Sequence, residues 1–472
     1  MSLTRSVAHN TLYQMVGRIA SIVLALLVFA MVARHLGVDG YGSFTTAAAF
    51  LQFFGTVVDM GLYVYLAKSL GEPGVDEEAL VSNVFTLRLV SAIVILGLAP
   101  LAVFFFPYPD IVKLAVVALS LSSLFTTLTQ VLAGIFQKTF NTGRFISGEV
   151  IGRIALLGAT VLAIKMGVGL IGIVWTVVLS SFITFAITAF WARRLVRFRL
   201  AYDAVLWKKI LAMTWPIALS IIFNVVYFKA DTIILSLYYP AHDVGIYGAP
   251  YKLFEALISF PALFAGLLTP ILATAFMADR ARFGRILQRG FEILLMSALP
   301  IVVVTMFAAR NVMELVAPGF EASAPVFQVL VFGTAAIFLG YLFSNAIVVV
   351  NRQRTMLWTY ATVAALSLAL YFIFIPRYSY FGAAGVTVAV ESIIALVGGW
   401  IVLRTSSTRL ALGAIMKIVL AALGMAAVMM LCVGLPWYAN VCIGIVAYAA
   451  LILLLRVIDR AVVKEILAKS PV

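Results

Sequence analysis

The sequence has few charged residues for its length. Only 11% of its 472 residues are Asp, Glu, Lys or Arg, whereas soluble domains contain roughly 25%. Hydrophobic residues make up 64% of the chain, and the mean hydropathy is +1.13. This composition excludes an ordinary soluble globular protein and predicts an integral membrane protein.

Residues that commonly build catalytic or metal sites are also scarce. Cys432 and Cys442 lie in one apolar hairpin, which favours packing over a disulfide framework or a metal site. His9, His35 and His242 lie near the ends of apolar runs and outside any HExxH or Cys/His cluster. Because no GxxxxGK[ST] motif occurs, we expect no ATP hydrolysis. We therefore expect a protein that is not an enzyme and that needs no metal or cofactor.

Apolar runs of about 20 residues, the length that crosses ~30 Å of hydrocarbon, recur from end to end. The connections between them are too short for a soluble domain, which argues against a membrane glycosyltransferase or polymerase. We predict an all-α integral membrane protein with fourteen transmembrane helices. The predicted spans are 12–35, 41–66, 82–106, 110–137, 145–166, 169–191, 214–239, 245–275, 285–309, 324–351, 354–374, 381–404, 410–433 and 436–458.

The basic residues are distributed unequally between the two predicted ends of the bundle. If the N-terminus is cytoplasmic, only five of the 33 Lys and Arg fall in outer loops. By the positive-inside rule this asymmetry places both termini in the cytoplasm of a multi-pass inner-membrane protein. The net charge of +14 is then explained by orientation, and we expect no nucleic-acid partner. The five outer residues are Arg34, Lys113, Lys165, Arg310 and Arg377.

Two pairs of similar motifs indicate an internal duplication. The loop "HLGVDGYGSF" (35–44) matches "HDVGIYGAPY" (242–251), and "GLIG" (169–172) matches "GAAG" (382–385) at a similar separation. A repeated six-helix unit returns the chain to the same side, so the two copies have parallel orientation, as in a known class of transporters.

The duplication divides the chain into four predicted parts. Residues 1–192 form an N-terminal lobe of six spans, and 214–404 form a C-terminal lobe of six. Between them lies a basic amphipathic cytoplasmic connector, 193–213, in which Asp203 caps a short helix on the membrane surface. Residues 405–472 hold two extra spans and a cytoplasmic tail.

Two stretches resemble a known family. "ARHLGVDGYGSFTTAAAFLQFFGTVVDMGL" (33–62) is similar to the start of Wzx-type polysaccharide flippases. "WPIALSIIFNVVYFKADTIILSLYYPAHDVGIYGAPYKLFE" (215–255) resembles the mid-chain signature of that family. These proteins belong to the multidrug/oligosaccharidyl-lipid/polysaccharide exporter superfamily.

The resemblance implies a two-lobed transporter with a central cavity and alternating access. Its implied substrate is an undecaprenyl-diphosphate-type lipid-linked oligosaccharide, moved from the inner to the outer leaflet for export of a cell-surface polysaccharide. A polysaccharide polymerase and glycosyltransferases then become candidate partners. A peptidoglycan-precursor flippase and a cation-coupled multidrug exporter of the same superfamily remain alternatives, although the exporter plan has twelve helices.

Four charged residues of spans seven and eight form a predicted buried quartet. Lys229 and Asp231 precede the turn near His242 by about as many residues as Lys252 and Glu255 follow it. Antiparallel neighbours could therefore pair Asp231 with Lys252 and Lys229 with Glu255. These pairs would clamp the hairpin, or some of the four would contact substrate or a coupling ion.

A polar stripe runs along span seven on the face that carries Asp231. At 100° per residue its members lie close together on the helix, whereas Lys229 lies on nearly the opposite face. We predict that the stripe faces the lobe interior or the cavity. Its members are Pro216, Ser220, Asn224, Tyr227 and Asp231.

The N-terminal lobe carries a second set of buried charges in its predicted inner half. Three arginines and two carboxylates would make a slightly positive pocket that suits a diphosphate headgroup. The alternative is that Arg18 and Arg88 extend to the inner interface. The set is Arg18, Asp59, Arg88, Glu149 and Arg153.

Glu391 lies near the middle of span twelve with no basic residue one turn away. Burial there favours the neutral, protonated carboxyl group. Such a group could couple transport to a proton gradient, or it could be a neutral glutamate held by hydrogen bonds. We predict Glu391 as the ion-coupling candidate.

The charge distribution generates a test of orientation. Reporters fused after Val472 should be active only if they function in the cytoplasm, because the basic inner loops retain both termini there. Activity of a periplasmic reporter at this position would contradict the predicted topology.

Overall fold

The computed structural model describes residues 3–72, 74–139 and 141–457. These residues form thirteen α-helices and one short 3-10 helix, without a strand. The α-helices are α1 (Leu3–Asp59), α2 (Leu62–Ser69), α3 (Glu77–Val103), α4 (Asp110–Lys138), α5 (Thr142–Lys165), α6 (Leu170–Leu195), α7 (Ala204–Tyr238), α8 (Ala241–Ala278), α9 (Arg280–Val316), α10 (Ala324–Val349), α11 (Gln353–Ser406), α12 (Leu412–Leu431) and α13 (Trp437–Leu454).

The helices account for the predicted spans. Twelve helical segments of the described residues are long and apolar enough to cross a membrane. Two of these helices contain two spans each, because α1 breaks at Gly37 and α11 breaks at Ser379. Counting both halves gives fourteen spans, which confirms the predicted all-α multi-pass membrane fold.

Two predicted boundaries are wrong in detail. The second span is interrupted, because Met60 and Gly61 have left-handed backbone angles (φ 45° and 68°) that end α1 and start α2. The separate amphipathic helix of the connector is instead the first part of α7, which runs on without a break from Ala204. Asp203 nevertheless caps that helix as predicted, since its carboxylate accepts hydrogen bonds from the N–H groups of Val205 and Leu206.

The described residues divide into two compact units. The first contains the chain up to Gly248 together with Leu368–Tyr380, and the second contains Ala249–Ser367 and the chain from Phe381 onwards. The division into lobes that the duplication suggests stays a prediction.

Within the first unit the extended segment 196–203 is fixed to α3. Its backbone N–H groups at Arg199, Ala201 and Asp203 donate to side-chain oxygens of α3 at 2.8–3.1 Å. One of those acceptors, Asn83, also accepts from the indole of Trp207 at 3.1 Å. Polar side chains of α3 thus accept hydrogen bonds from the backbone N–H groups of a segment that has no regular secondary structure.

The two glycine motifs that indicated a duplication lie against each other in the first unit. A Cβ on Gly42 would overlap the carbonyl oxygen of Ala241, and one on Gly245 would overlap the carbonyl oxygen of Val38. The contact is so close that only hydrogen fits at both positions. His242 Nδ1 lies 3.2 Å from Asp39 Oδ1 across the same crossing.

This crossing generates a stability prediction. Gly42→Ala should lower the thermal unfolding midpoint in detergent, because overpacking against backbone costs ~1–3 kcal/mol. Gly158→Ala in α5 is the control, since a Cβ there meets nothing within 4 Å. Alanine is also the better helix former, so the control should unfold at the wild-type temperature or above. Equal midpoints for the two variants would contradict the described crossing.

Candidate functional site

The break between α1 and α2 leaves a backbone carbonyl of the first unit in need of a hydrogen-bond donor. Because α1 ends at Asp59 and the next two residues have left-handed backbone angles, the carbonyl of Val58 lacks a helical partner. In an apolar environment such a group needs another hydrogen-bond donor. The donor comes from α3.

Arg88 of α3 supplies that hydrogen bond. One terminal nitrogen donates to the Val58 carbonyl at 2.8 Å, and the other donates to Asp59 Oδ1 at 2.8 Å. The same guanidinium donates to the Thr127 carbonyl at 3.2 Å and to Gln130 Oε1 at 3.3 Å, both on α4. Its side chain is fully buried (0% exposed). Arg88 therefore joins α1, α3 and α4 at the break and neutralises Asp59.

Asp59 is only partly covered, with 27% of its side chain exposed. It lines a cavity of 420 Å³ whose walls come from α1, α4, α6 and α7. Eight side chains with hydroxyl, amide or carboxylate groups line the α1 and α4 walls among apolar ones, which is unusual within membrane spans. The polar lining residues are Gln52, Thr56, Asp59, Ser122, Ser123, Thr126, Thr127 and Gln130.

The sequence pattern indicated Asp59 but not the rest of this polar wall. The signal was present in "SLSSLFTTLTQ" (120–130), a run of hydroxyl and amide residues within a membrane span. Hydroxyl groups in helices can bond to their own backbone, as Thr129 does to the Phe125 carbonyl at 2.8 Å. The run therefore has a local explanation, and only the fold brings it opposite Gln52 and Asp59.

The opposite side of α1 lines a second cavity of a different character. This cavity, of 380 Å³, lies in the first unit between α1, α7 and residues 368–372 of α11. Its lining is entirely apolar. Phe50, Phe53 and Phe54 belong to this side of α1, together with Ile233 of α7 and Phe372 of α11. One helix thus separates a polar cavity from an apolar one.

The other predicted charges of the N-terminal set do not line the polar cavity. Arg18 is exposed on α1 and close enough to the Tyr63 hydroxyl for electrostatic interaction. Glu149 and Arg153 are half-buried on α5, and no ion pair joins them in the described part of the chain. Arg88 is behind the cavity wall, so it does not extend to the interface. The structure brings together Asp59 and Arg88 from this set.

The predicted stripe of α7 is partly described. Asp231 is fully buried, and its Oδ2 accepts a hydrogen bond from the Tyr247 hydroxyl at 2.5 Å. Lys229 is also buried and interacts electrostatically with Asp231. The carbonyl of buried Tyr227 accepts from the Tyr371 hydroxyl at 3.1 Å. The side chains of Pro216, Ser220 and Asn224 lie outside the described residues.

Lys252 forms a local ion pair with Glu255 at 3.0 Å, three residues further along α8. Residues at this spacing face each other on a helix. The predicted pairs of Asp231 with Lys252 and of Lys229 with Glu255 stay predictions.

Glu391 is buried in the second unit, with 7% of its surface exposed. The phenol groups of Tyr341 and Tyr360 are both close enough to interact electrostatically with the carboxyl group. No basic side chain of the described residues forms an ion pair with it. The role of Glu391 in ion coupling stays a prediction.

Comparison with known proteins places these observations in a family. A family model described as "Polysaccharide biosynthesis protein" matches residues 7–276. No curated protein sequence matches the chain.

Solved structures of transporters share the fold. A lipid II flippase, MurJ, in an inward closed conformation has a TM-score of 0.78 at 16% identity, covering 94% of this chain and 98% of its own. An inward-facing multidrug resistance MATE family transporter of the MOP superfamily has a TM-score of 0.68 at 15% identity, covering 82% and 95%. An outward-facing MATE transporter has 0.58 at 16% identity, covering 85% and 96%.

The contacts of Arg88 generate a prediction. Arg88→Ala should lower the folded yield and the unfolding midpoint in detergent, because breaking a buried ion pair costs ~3–5 kcal/mol. Arg88→Lys should recover only part of the loss, since an ammonium cannot reach all four acceptors at once. Arg153→Ala, at a half-buried arginine without an ion pair, is the matched control. Equal midpoints for Arg88→Ala and Arg153→Ala would contradict the described role.

Proposed function

Because the chain belongs to the polysaccharide biosynthesis protein family, we propose that it is a flippase for a lipid-linked oligosaccharide. The substrate would carry an undecaprenyl-diphosphate-type anchor and would move from the inner to the outer leaflet by alternating access. The solved relatives of the fold include inward-facing and outward-facing conformations, which supports this type of cycle.

The polar cavity of the first unit is the observation that carries the proposal. A sugar headgroup presents many hydroxyl groups, which need hydrogen-bond partners once they leave water. The cavity offers both kinds of partner, since Ser and Thr hydroxyls and the Gln52 amide can each donate and accept. Its 420 Å³ falls in the size range of small-molecule sites, roughly 300–1,000 Å³. A drug cation would need fewer hydrogen bonds than this wall provides.

Arginines other than Arg88 would interact with the diphosphate of the substrate. The guanidinium of Arg88 is occupied by Asp59, two carbonyls and Gln130, so it holds the cavity wall in place. Arg18 is exposed and Arg153 is half-buried, and both would attract the phosphates before the headgroup enters.

The remaining charged groups have separate proposed roles. Asp231, Lys229 and Tyr247 form a buried cluster that holds the start of α8 against α7. Glu149, Tyr227 and Asn224 stay sequence-based candidates for substrate contact. Glu391 would couple transport to protons, because a buried carboxyl group with no ion pair among the described residues can gain and lose a proton during the cycle.

Orientation and partners follow from the same proposal. We place both termini in the cytoplasm of an inner-membrane protein, with parallel six-span lobes at 1–192 and 214–404. Glycosyltransferases would supply the substrate on the inner face, and a polymerase would use it on the outer face.

A second candidate is a flippase for the peptidoglycan precursor. The similarity to the lipid II flippase, with a TM-score of 0.78 over 94% of this chain, favours it. Both candidates share a diphosphate lipid and differ in the attached sugar, so they predict the same cavity chemistry.

Transport by reconstituted vesicles tests the proposal. Wild-type protein should move lipid-linked oligosaccharide between leaflets, measured as loss of label accessible to an impermeant reagent. Gln52→Leu with Thr126→Val should slow movement about tenfold, because two lost hydrogen bonds cost ~1 kcal/mol or more. The control Thr362→Val alters an exposed threonine outside the cavity and should transport normally.

Three substrates separate the alternatives. Movement of the peptidoglycan precursor but not of oligosaccharide lipids would favour the second candidate. Movement of small cationic drugs alone would overturn the flippase proposal. Normal transport by the double variant would overturn the role of the polar cavity.

A further inference from the structure

A second polar cleft lies in the other compact unit, where the start of α9 meets the turn between α11 and α12. Its volume is 710 Å³, and four arginines and one carboxylate line it. The arginines come from two parts of the chain that are far apart in sequence. The charged lining residues are Arg280, Arg285, Arg289, Arg409 and Glu292.

The single carboxylate of the cleft is already occupied. Glu292 is buried, and its two oxygens accept hydrogen bonds from Gln288 Nε2 at 2.7 Å and from Arg289 at 3.5 Å. Arg285 has one ion pair, to Asp279 at 3.7 Å, and both side chains are largely exposed. Arg409 has no ion pair among the described residues. Among the described residues, the cleft therefore carries more positive than negative charge.

One hydrogen bond joins the two walls of the cleft, and another lies within the turn that forms one wall. The Ala411 N–H donates to Gln288 Oε1 at 2.9 Å, which fixes the start of α12 to α9. Ser406 donates to the Thr408 hydroxyl at 2.9 Å around Ser407, whose φ is 55°. Orientation in the membrane requires basic residues in inner loops, but it does not require them to converge on one fixed cleft.

Exposed apolar side chains lie on the helices next to the same cleft. Leu412 and Met416, one turn apart on α12, are 76% and 60% exposed, and Met277 before α9 is 89% exposed. Such residues at the end of a membrane helix face lipid chains. A ligand with an anionic head and apolar tails matches this arrangement of charge and apolar surface, whereas a free anion would use the charge alone.

We propose that this cleft binds the phosphate headgroup of an anionic phospholipid from the surrounding bilayer. Guanidinium groups suit phosphate because their planar donors can form two parallel hydrogen bonds. Basic pockets between membrane helices on the cytoplasmic side are known to hold such headgroups. The acyl chains lie along Leu412 and Met416. The proposal concerns a bilayer lipid and does not depend on the transported substrate.

Native mass spectrometry of the full chain in detergent tests the proposal with defined lipids. Phosphatidylglycerol should remain bound where phosphatidylcholine does not, and high salt should weaken binding. Arg285→Gln with Arg409→Gln should weaken phosphatidylglycerol binding roughly tenfold. The matched control removes two exposed arginines at the same end of the unit, Arg282→Gln with Arg354→Gln, which do not line the cleft, and it should bind normally.

The other outcomes identify a different occupant or none. Equal loss in both double variants would mean a general charge effect and would overturn the cleft assignment. Inorganic pyrophosphate binding as tightly as phosphatidylglycerol would identify a free-phosphate site instead. Stronger retention of undecaprenyl diphosphate than of phosphatidylglycerol would make the cleft a substrate site. If the double variant misfolds, Arg409→Gln alone should still reduce binding, because Arg409 has no ion pair in the described structure.

Discussion

The hydrogen bonds of Arg88 set the form of the polar cavity in the first unit. An interrupted helix in a membrane leaves backbone carbonyls without partners, and lipid cannot supply donors. Arg88 compensates the break at Val58 and in the same position neutralises Asp59. Because it also reaches α4 at Thr127, three helices are fixed around the break. The cavity can then present polar groups while the charges of Arg88 and Asp59 neutralise each other in its wall.

The same unit shows why a membrane protein can tolerate two cavities of opposite character side by side. Asp59 and Gln52 lie on one face of α1, and Phe50 and Phe53 lie on another. The polar face needs water or a hydroxyl-rich ligand, whereas the apolar face can be filled by lipid chains or by neighbouring helices. A substrate with a sugar head and a lipid tail has both requirements, which is the physical basis for the proposed function.

Much of the fold followed from hydropathy alone, because each membrane span needs about 20 apolar residues. The paired glycine motifs also indicated positions of structural importance, and Gly42 and Gly245 do lie in close contact with backbone atoms. What pattern analysis could not supply was partner choice. It did not indicate that Lys252 pairs with Glu255 on the same helix. Gln130 was not recognised as part of a cavity wall, because the sequence does not show what packs opposite the polar face of α4.

The central claim, that the polar cavity receives the sugar headgroup, can be tested by cysteine protection. In a background of Cys432→Ala and Cys442→Ala, Gln52→Cys would be labelled with a water-soluble maleimide in reconstituted protein. The account predicts labelling that lipid-linked oligosaccharide slows in proportion to its occupancy and that small cationic drugs leave unchanged. Labelling that is slowed by the drugs and unaffected by the lipid-linked oligosaccharide would contradict it.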